Sequence, residues 1–167
     1  MTDPAREQLA ALARVHAALE QAGIEYWLFG GWAVDFHYGA ITRAHSDVDI
    51  AVWLDAAPRI AELLRRDGWT HVPSEEDNGG TGFERGPVRL ELTYLVRAGG
   101  GSLYTPLRDG RATWATDAFG DDVLELEGTR ARVVALQALA QSKSIPRDDP
   151  DDAPKDRADH RVLRRIV

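Results

Sequence analysis

A short apolar run, Tyr26–Phe29, leads into the doublet Gly30-Gly31 and a second apolar stretch, Trp32–Tyr38. A polar connection then carries the chain into Asp47-Val48-Asp49-Ile50-Ala51-Val52. This order confines the segment to strand, turn, helix and strand. Side chains alternate across a strand, so Asp47 and Asp49 share one face while Val48, Ile50 and Val52 share the other and need burial. Two carboxylates side by side repel unless a cation lies between them, and hard oxygen ligands suit Mg²⁺. Glycines between a strand and a helix let backbone N–H groups approach a phosphate. Alone, each piece is common: a Gly-Gly turn, or the solvated face of an edge strand. Together they point to phosphoryl or nucleotidyl transfer.

The rest of the pattern predicts an α+β fold, a mixed and mostly antiparallel sheet with helices packed against it. Leu9, Leu12, Val15 and Leu19 recur at helical spacing from Asp3 to about Ala22, with Gly23 as the C-cap. The Trp32–Tyr38 helix is expected to begin directly after the glycines. Ala57–Asp67 reads as a helix, Thr70–Val72 as a short strand and Ser74–Gly80 as a flexible acidic, glycine-rich segment. Gly82–Arg85 and Val88–Leu95 flank Gly86-Pro87 as a hairpin. Val123–Leu126 and Thr129–Val133 form another pair around Gly128, and Val134–Ser142 reads as a helix. Ser144–Pro154 is expected to be an exposed loop, and Asp156–Val167 a helix with Val162, Leu163 and Ile166 inward. Gly99–Asp122 gives no reading beyond a Gly99-Gly100-Gly101 loop.

At 167 residues, the chain is expected to form one domain over residues 1–167, its helices from about 134 to 167 completing the nucleotide or acceptor site. No apolar run reaches membrane-spanning length, and the polar start does not read as a signal peptide. The absence of cysteine excludes disulfides and thiolate metal sites and suits a cytoplasmic location. A net charge of −7 argues against a DNA footprint and favours small or cationic partners.

A two-metal displacement at phosphorus needs a third carboxylate near the first two. In Val88-Arg89-Leu90-Glu91-Leu92-Thr93-Tyr94, alternation puts Glu91 on one face with Arg89 and Thr93. If this strand lies beside Asp47–Leu54, Glu91 points into the same cleft, as metal ligand or as base toward a hydroxyl. The bland alternative is an exposed Glu91 paired with Arg89. Arg43 suits a phosphate through its planar, permanently charged guanidinium. His45 suits a phosphate contact or loop ordering, and with no other His near it in sequence a zinc site is not expected. The two lysines, Lys143 and Lys155, are both C-terminal, and each reads as a phosphate contact or as a solvated surface charge.

The G-G-W-A-x-D and T-R-x-H-x-D-x-D patterns, Gly30–Asp35 and Thr42–Asp49, resemble the signature of small antibiotic nucleotidyltransferases. The chain is most similar to the aminoglycoside-2''-adenylyltransferase family and resembles the lincosamide nucleotidyltransferases too, both of the polymerase-β-like superfamily. The resemblance implies that Gly30 and Gly31 hold the nucleotide triphosphate, that Asp47 and Asp49 bind Mg²⁺, and that Glu91 completes the site. Close relatives often have Asp at the Glu91 position. It implies nucleotide contacts for Lys155 and, through the wider superfamily, for Lys143. The expected reaction is Mg²⁺-dependent transfer of a nucleoside monophosphate, AMP from ATP before other nucleotides, to a hydroxyl of a small cationic acceptor such as an aminoglycoside. Lincosamide acceptors, toxin-type transfer to tRNA or protein, and nucleotide binding without turnover are the alternatives. A homodimer is the expected assembly, as for small members of the superfamily.

Overall fold

The computed structural model describes residues 3–144 and 153–166, with the side chains of 142–144 excepted. The first helix, α1 (Pro4–Ala22), opens where the Asp3 carboxylate accepts a hydrogen bond from the Ala5 N–H at 3.0 Å, and closes at Gly23 with φ +70°. Its apolar stripe, Leu9, Leu12, Val15 and Leu19, is buried. Strand β1 (Tyr26–Phe29) runs straight into helix α2 (Gly30–Tyr38). The helix therefore starts two residues earlier than the sequence suggested, with both glycines in its first turn. Gly30 makes this possible: its φ of +70° turns the extended chain into the helix without a linker.

Strand β2 (Val48–Trp53) follows the polar connection, and helix α3 (Ala57–Arg66) packs Ile60 and Leu64 into the core. Strands β3 (Thr70–His71), β4 (Gly80–Arg85) and β5 (Val88–Arg97) complete the main sheet in the order β1-β2-β5-β4-β3. Only the β2–β5 pair is parallel there; the other pairs are antiparallel. A hairpin of β6 (Leu103–Leu107) and β7 (Gly110–Trp114) extends the sheet from the end of β5. Apart from the glycine run Gly99-Gly100-Gly101, nothing in the sequence pattern marks this hairpin. A separate pair, β8 (Val123–Leu126) and β9 (Thr129–Arg132), packs beside α1.

Helix α4 (Leu136–Ser144) begins two residues later than expected because Val133 still pairs with Leu28 of β1 in parallel register and the Val134 N–H donates to the Leu28 carbonyl. Helix α5 (Ala153–Leu163) starts three residues early, with Pro154 in its first turn, and its Leu163 is buried. Most of the Ser144–Pro154 loop expected from sequence lies outside the described residues. The main core gathers the inner faces of α1, α2 and α3 on one side of the sheet, with Trp32, Leu28, Ile50 and Leu90 among its members. On the other side Trp27, Ala51 and Leu95 form a smaller core beneath Trp53, Trp114 and Phe119. No helix among the described residues is long and apolar enough to cross a membrane.

Candidate active site

The parallel register of β2 and β5 sets Asp49 directly beside Glu91. The alternation read from sequence therefore holds: Asp49 and Glu91 share the face on which Trp27 and Phe29 of β1 lie, opposite the main core. Asp47 precedes β2 by one residue and lines the same cleft. This cleft of about 480 Å³ is also lined by Gly30, Gly31, Arg43, His45, Lys155 and the loop from Ser74 to Gly80. The structure thus brings together every site residue expected from sequence except Lys143, whose side chain lies outside the described residues.

Close packing explains the glycine doublet. A Cβ on Gly30 would lie 2.5 Å from Asp49 Oδ2, and one on Gly31 would meet the Arg43 guanidinium and lie 2.6 Å from His45 Nδ1. The bare backbone at these positions lets the carboxylate of β2 and the two basic side chains pack against the start of α2.

His45 Nε2 lies 2.6 Å from Asp35 Oδ2, and the Thr42 hydroxyl donates to Asp35 Oδ1 at 2.5 Å. The carboxylate accepts from the Nε2–H, and Nδ1 is the ring atom facing Gly31. The ring lies over Trp32, with centroids 4.5 Å apart. Asp35 is fully buried and was not read as a site residue, although the signal was present: a lone acid in an apolar helix turn, Trp32-Ala33-Val34-Asp35-Phe36.

Arg43 is placed at the cleft, but Asp159 of α5 occupies its fork: Nε donates to Oδ1 at 2.8 Å and Nη2 to Oδ2 at 2.9 Å. Burial pulls the Arg43 pKa down, and the Asp159 bond together with the charges of Asp159, Asp35 and Asp47 overcomes that and raises it. Arg43 is a permanent cation that pins α5 to the motif loop. One turn earlier on α5, Lys155 Nζ donates to Ser46 Oγ at 3.1 Å, at the cleft wall.

Glu91 is partly buried rather than exposed, and its pairing with Arg89 is present. It lines the cleft and also accepts from Arg89 Nε at 2.5 Å, while Arg89 reaches Glu84 at 3.1 Å. Gly82 stands opposite Glu91 in the β4–β5 register, and a Cβ there would lie 2.7 Å from Arg89 Cζ, so its missing side chain makes room for the guanidinium. Burial pushes the Glu91 carboxyl above its ordinary pKa; Arg89 opposes this, and Asp47 and Asp77 add to it.

Among the described residues no three His, Asp or Glu side chains converge as a ready-made metal cage. Mg²⁺ does not need one, since it is held by one or two carboxylates plus substrate phosphates and water. Asp47 and Asp49, paired on one wall, fit that requirement, and Glu91 is drawn toward Arg89. Such a cleft can hold a polyanion along its basic wall and take a proton at a carboxylate whose basicity is raised.

The model of the aminoglycoside-2''-adenylyltransferase family matches residues 11–163. A 2''-aminoglycoside nucleotidyltransferase of Escherichia coli is 35% identical over 43 residues, which make up 26% of this chain and 24% of that protein. That aligned stretch spans only about a quarter of the relative. The solution structure of the antibiotic-resistance factor ANT(2'')-Ia superposes with a TM-score of 0.73 at 19% identity, covering 95% of this chain and 83% of that one. Its complex with adenylyl-2''-tobramycin gives 0.71 at 18% identity, over 94% and 87%. The lincomycin-bound lincosamide adenylyltransferase LnuA gives 0.67 at 19% identity, over 89% and 91%. These likenesses establish the nucleotidyltransferase fold expected from sequence.

Proposed function

The chain belongs to the aminoglycoside-2''-adenylyltransferase family, and on that premise we propose that it transfers AMP from ATP to a hydroxyl of an aminoglycoside. The observation that carries this reading is the side-by-side placement of Asp49 and Glu91 across the parallel β2–β5 pair, in one cleft with Asp47 and the glycine doublet.

A magnesium ion bound at Asp47 and Asp49 would neutralise triphosphate charge and assist in-line displacement. The start of α2, with Lys155 beside it, holds the triphosphate. His45, fixed by Asp35, keeps the Gly31 turn closed against that wall. Glu91 takes the proton of the attacking hydroxyl, which forms the new O–P bond to the α-phosphorus as pyrophosphate leaves. Its raised pKa makes it the stronger base, and Arg89 orients it. A polycationic acceptor suits a chain of net charge −7.

The test is incubation with MgATP and a panel of aminoglycosides and lincosamides, followed by pyrophosphate release and product mass. The expected result is an aminoglycoside heavier by one AMP, and its loss in Asp49→Asn. Product with a lincosamide alone would replace the acceptor class; no product at all would overturn the reading.

A further inference from the structure

We infer that Arg108, which lies outside the cleft, is the positioning residue that holds the acidic loop of residues 74–79 as the acceptor-side wall. This inference rests on the proposed reaction with a cationic acceptor.

The sheet order divides the cleft into two sides. Gly30-Gly31 follow β1, the loop precedes β4, and the carboxylates of β2 and β5 lie between them. The glycine side carries Lys155 and the first N–H groups of α2, beside Asp156 and an Arg43 already paired with Asp159. The loop side carries Glu76 and Asp77, with the Arg89 guanidinium committed to Glu91 and Glu84. A triphosphate is attracted to the first and repelled by the second, which leaves the loop side to an ammonium-bearing acceptor. Among the described residues Glu76 makes no ion pair, so its carboxylate is available to a ligand.

A loop of this composition does not hold its shape by packing, because it offers no apolar side chain to the core. Its shape comes from hydrogen bonds, some within the loop and others from the turn between β6 and β7. The Arg108 guanidinium donates to the carbonyls of Glu75 and of Asp77, the latter at 2.6 Å, and the Arg108 N–H donates to Asn78 Oδ1 at 2.8 Å. Gly79, at φ +83°, packs so closely on β6 that a Cβ would lie 2.7 Å from Thr105 Cγ2. Inside the loop, Asp77 Oδ2 accepts from the Ser74 N–H at 2.9 Å and from the Thr81 hydroxyl at 3.1 Å. One exposed guanidinium therefore bridges two successive bends of the wall, touching neither the nucleotide side nor the β2–β5 carboxylates.

The experiment compares wild type, Arg108→Gln and Arg108→Lys by amide hydrogen exchange and by steady-state kinetics with MgATP and tobramycin. The expected result for Arg108→Gln is faster exchange confined to 74–79 and a KM for tobramycin raised about tenfold, the scale of a lost charged hydrogen bond. The KM for ATP, kcat and the melting temperature stay near wild type, and Arg108→Lys recovers part of the loss. Unchanged exchange at 74–79 overturns the inference. So does faster exchange with an unchanged tobramycin KM, or a parallel rise in both KM values. The exchange arm needs no acceptor, so wild-type protein that turns over no aminoglycoside is recognised separately, as failure of the parent reading.

Discussion

Gly30 sits under two constraints at once. Its φ of +70° is strained for any residue with a side chain, and a methyl group there would lie 2.5 Å from the Asp49 carboxylate. Gly30→Ala should cost about 1–3 kcal/mol of stability from the backbone alone. Turnover should fall further than stability accounts for, because the methyl group displaces a carboxylate of the cleft. Melting curves and pyrophosphate release on the same samples check this; retained turnover in a destabilised variant would sink it. The paired acids and the doublet were legible in the sequence because strand alternation and the glycine turn are local properties. The partners of Arg43 and His45 were not. Asp159 is far away in the chain, and the pull of Asp35 on His45 depends on how α2 turns over the loop.

Among the elements, α5 is tied to the motif loop by a buried ion pair. Asp159 is fully buried and its partner Arg43 only 18% exposed, so breaking the pair strands a cation in a poorly solvated place. Asp159→Asn should cost about 3–5 kcal/mol, the usual range for removing one member of a buried pair. The loss should appear as a lower melting temperature and faster amide exchange in α5. Arg43→Lys should not be neutral either, because an ammonium cannot fill a bidentate fork. The helices and the β1, β2, β4 and β5 strands were readable because caps, apolar spacing and glycine turns mark them. The β6–β7 hairpin was not: it carries Pro106 and a mostly polar partner, Gly110–Trp114. Its strand character comes from pairing. β6 meets β5 only at Leu103 and Tyr104, so Pro106, which has no N–H to give, faces no β5 partner.

For the whole molecule, protonation of His16 should loosen the fold as the pH falls. His16 on α1 lies 2.5 Å from the Tyr26 hydroxyl of β1, which also accepts from the Arg132 N–H of β9 at 3.1 Å. Burial, above all, lowers the His16 pKa from 6.5; Arg130 and Arg132 lower it further, and Glu20 opposes them. Between that depressed value and its ordinary one near 6.5, the unfolded chain binds the proton and the folded chain does not. Stability is therefore full above the ordinary value and declines as the pH falls toward the folded one. Melting temperatures from about pH 8 down to about pH 5 should fall, and His16→Gln should flatten that slope. The same long-range construction governs when the cleft comes into being. Asp49 and Glu91 are neighbours only through the parallel β2–β5 pair, and α3, β3 and β4 all intervene in the chain. Parallel pairing of this kind closes a long loop before it returns any contact energy. On the ribosome, the half-made chain would hold the glycines and the first two acids but no working cleft, so catalytic competence should arrive late, after β5 has docked and α5 has brought Lys155 to the wall.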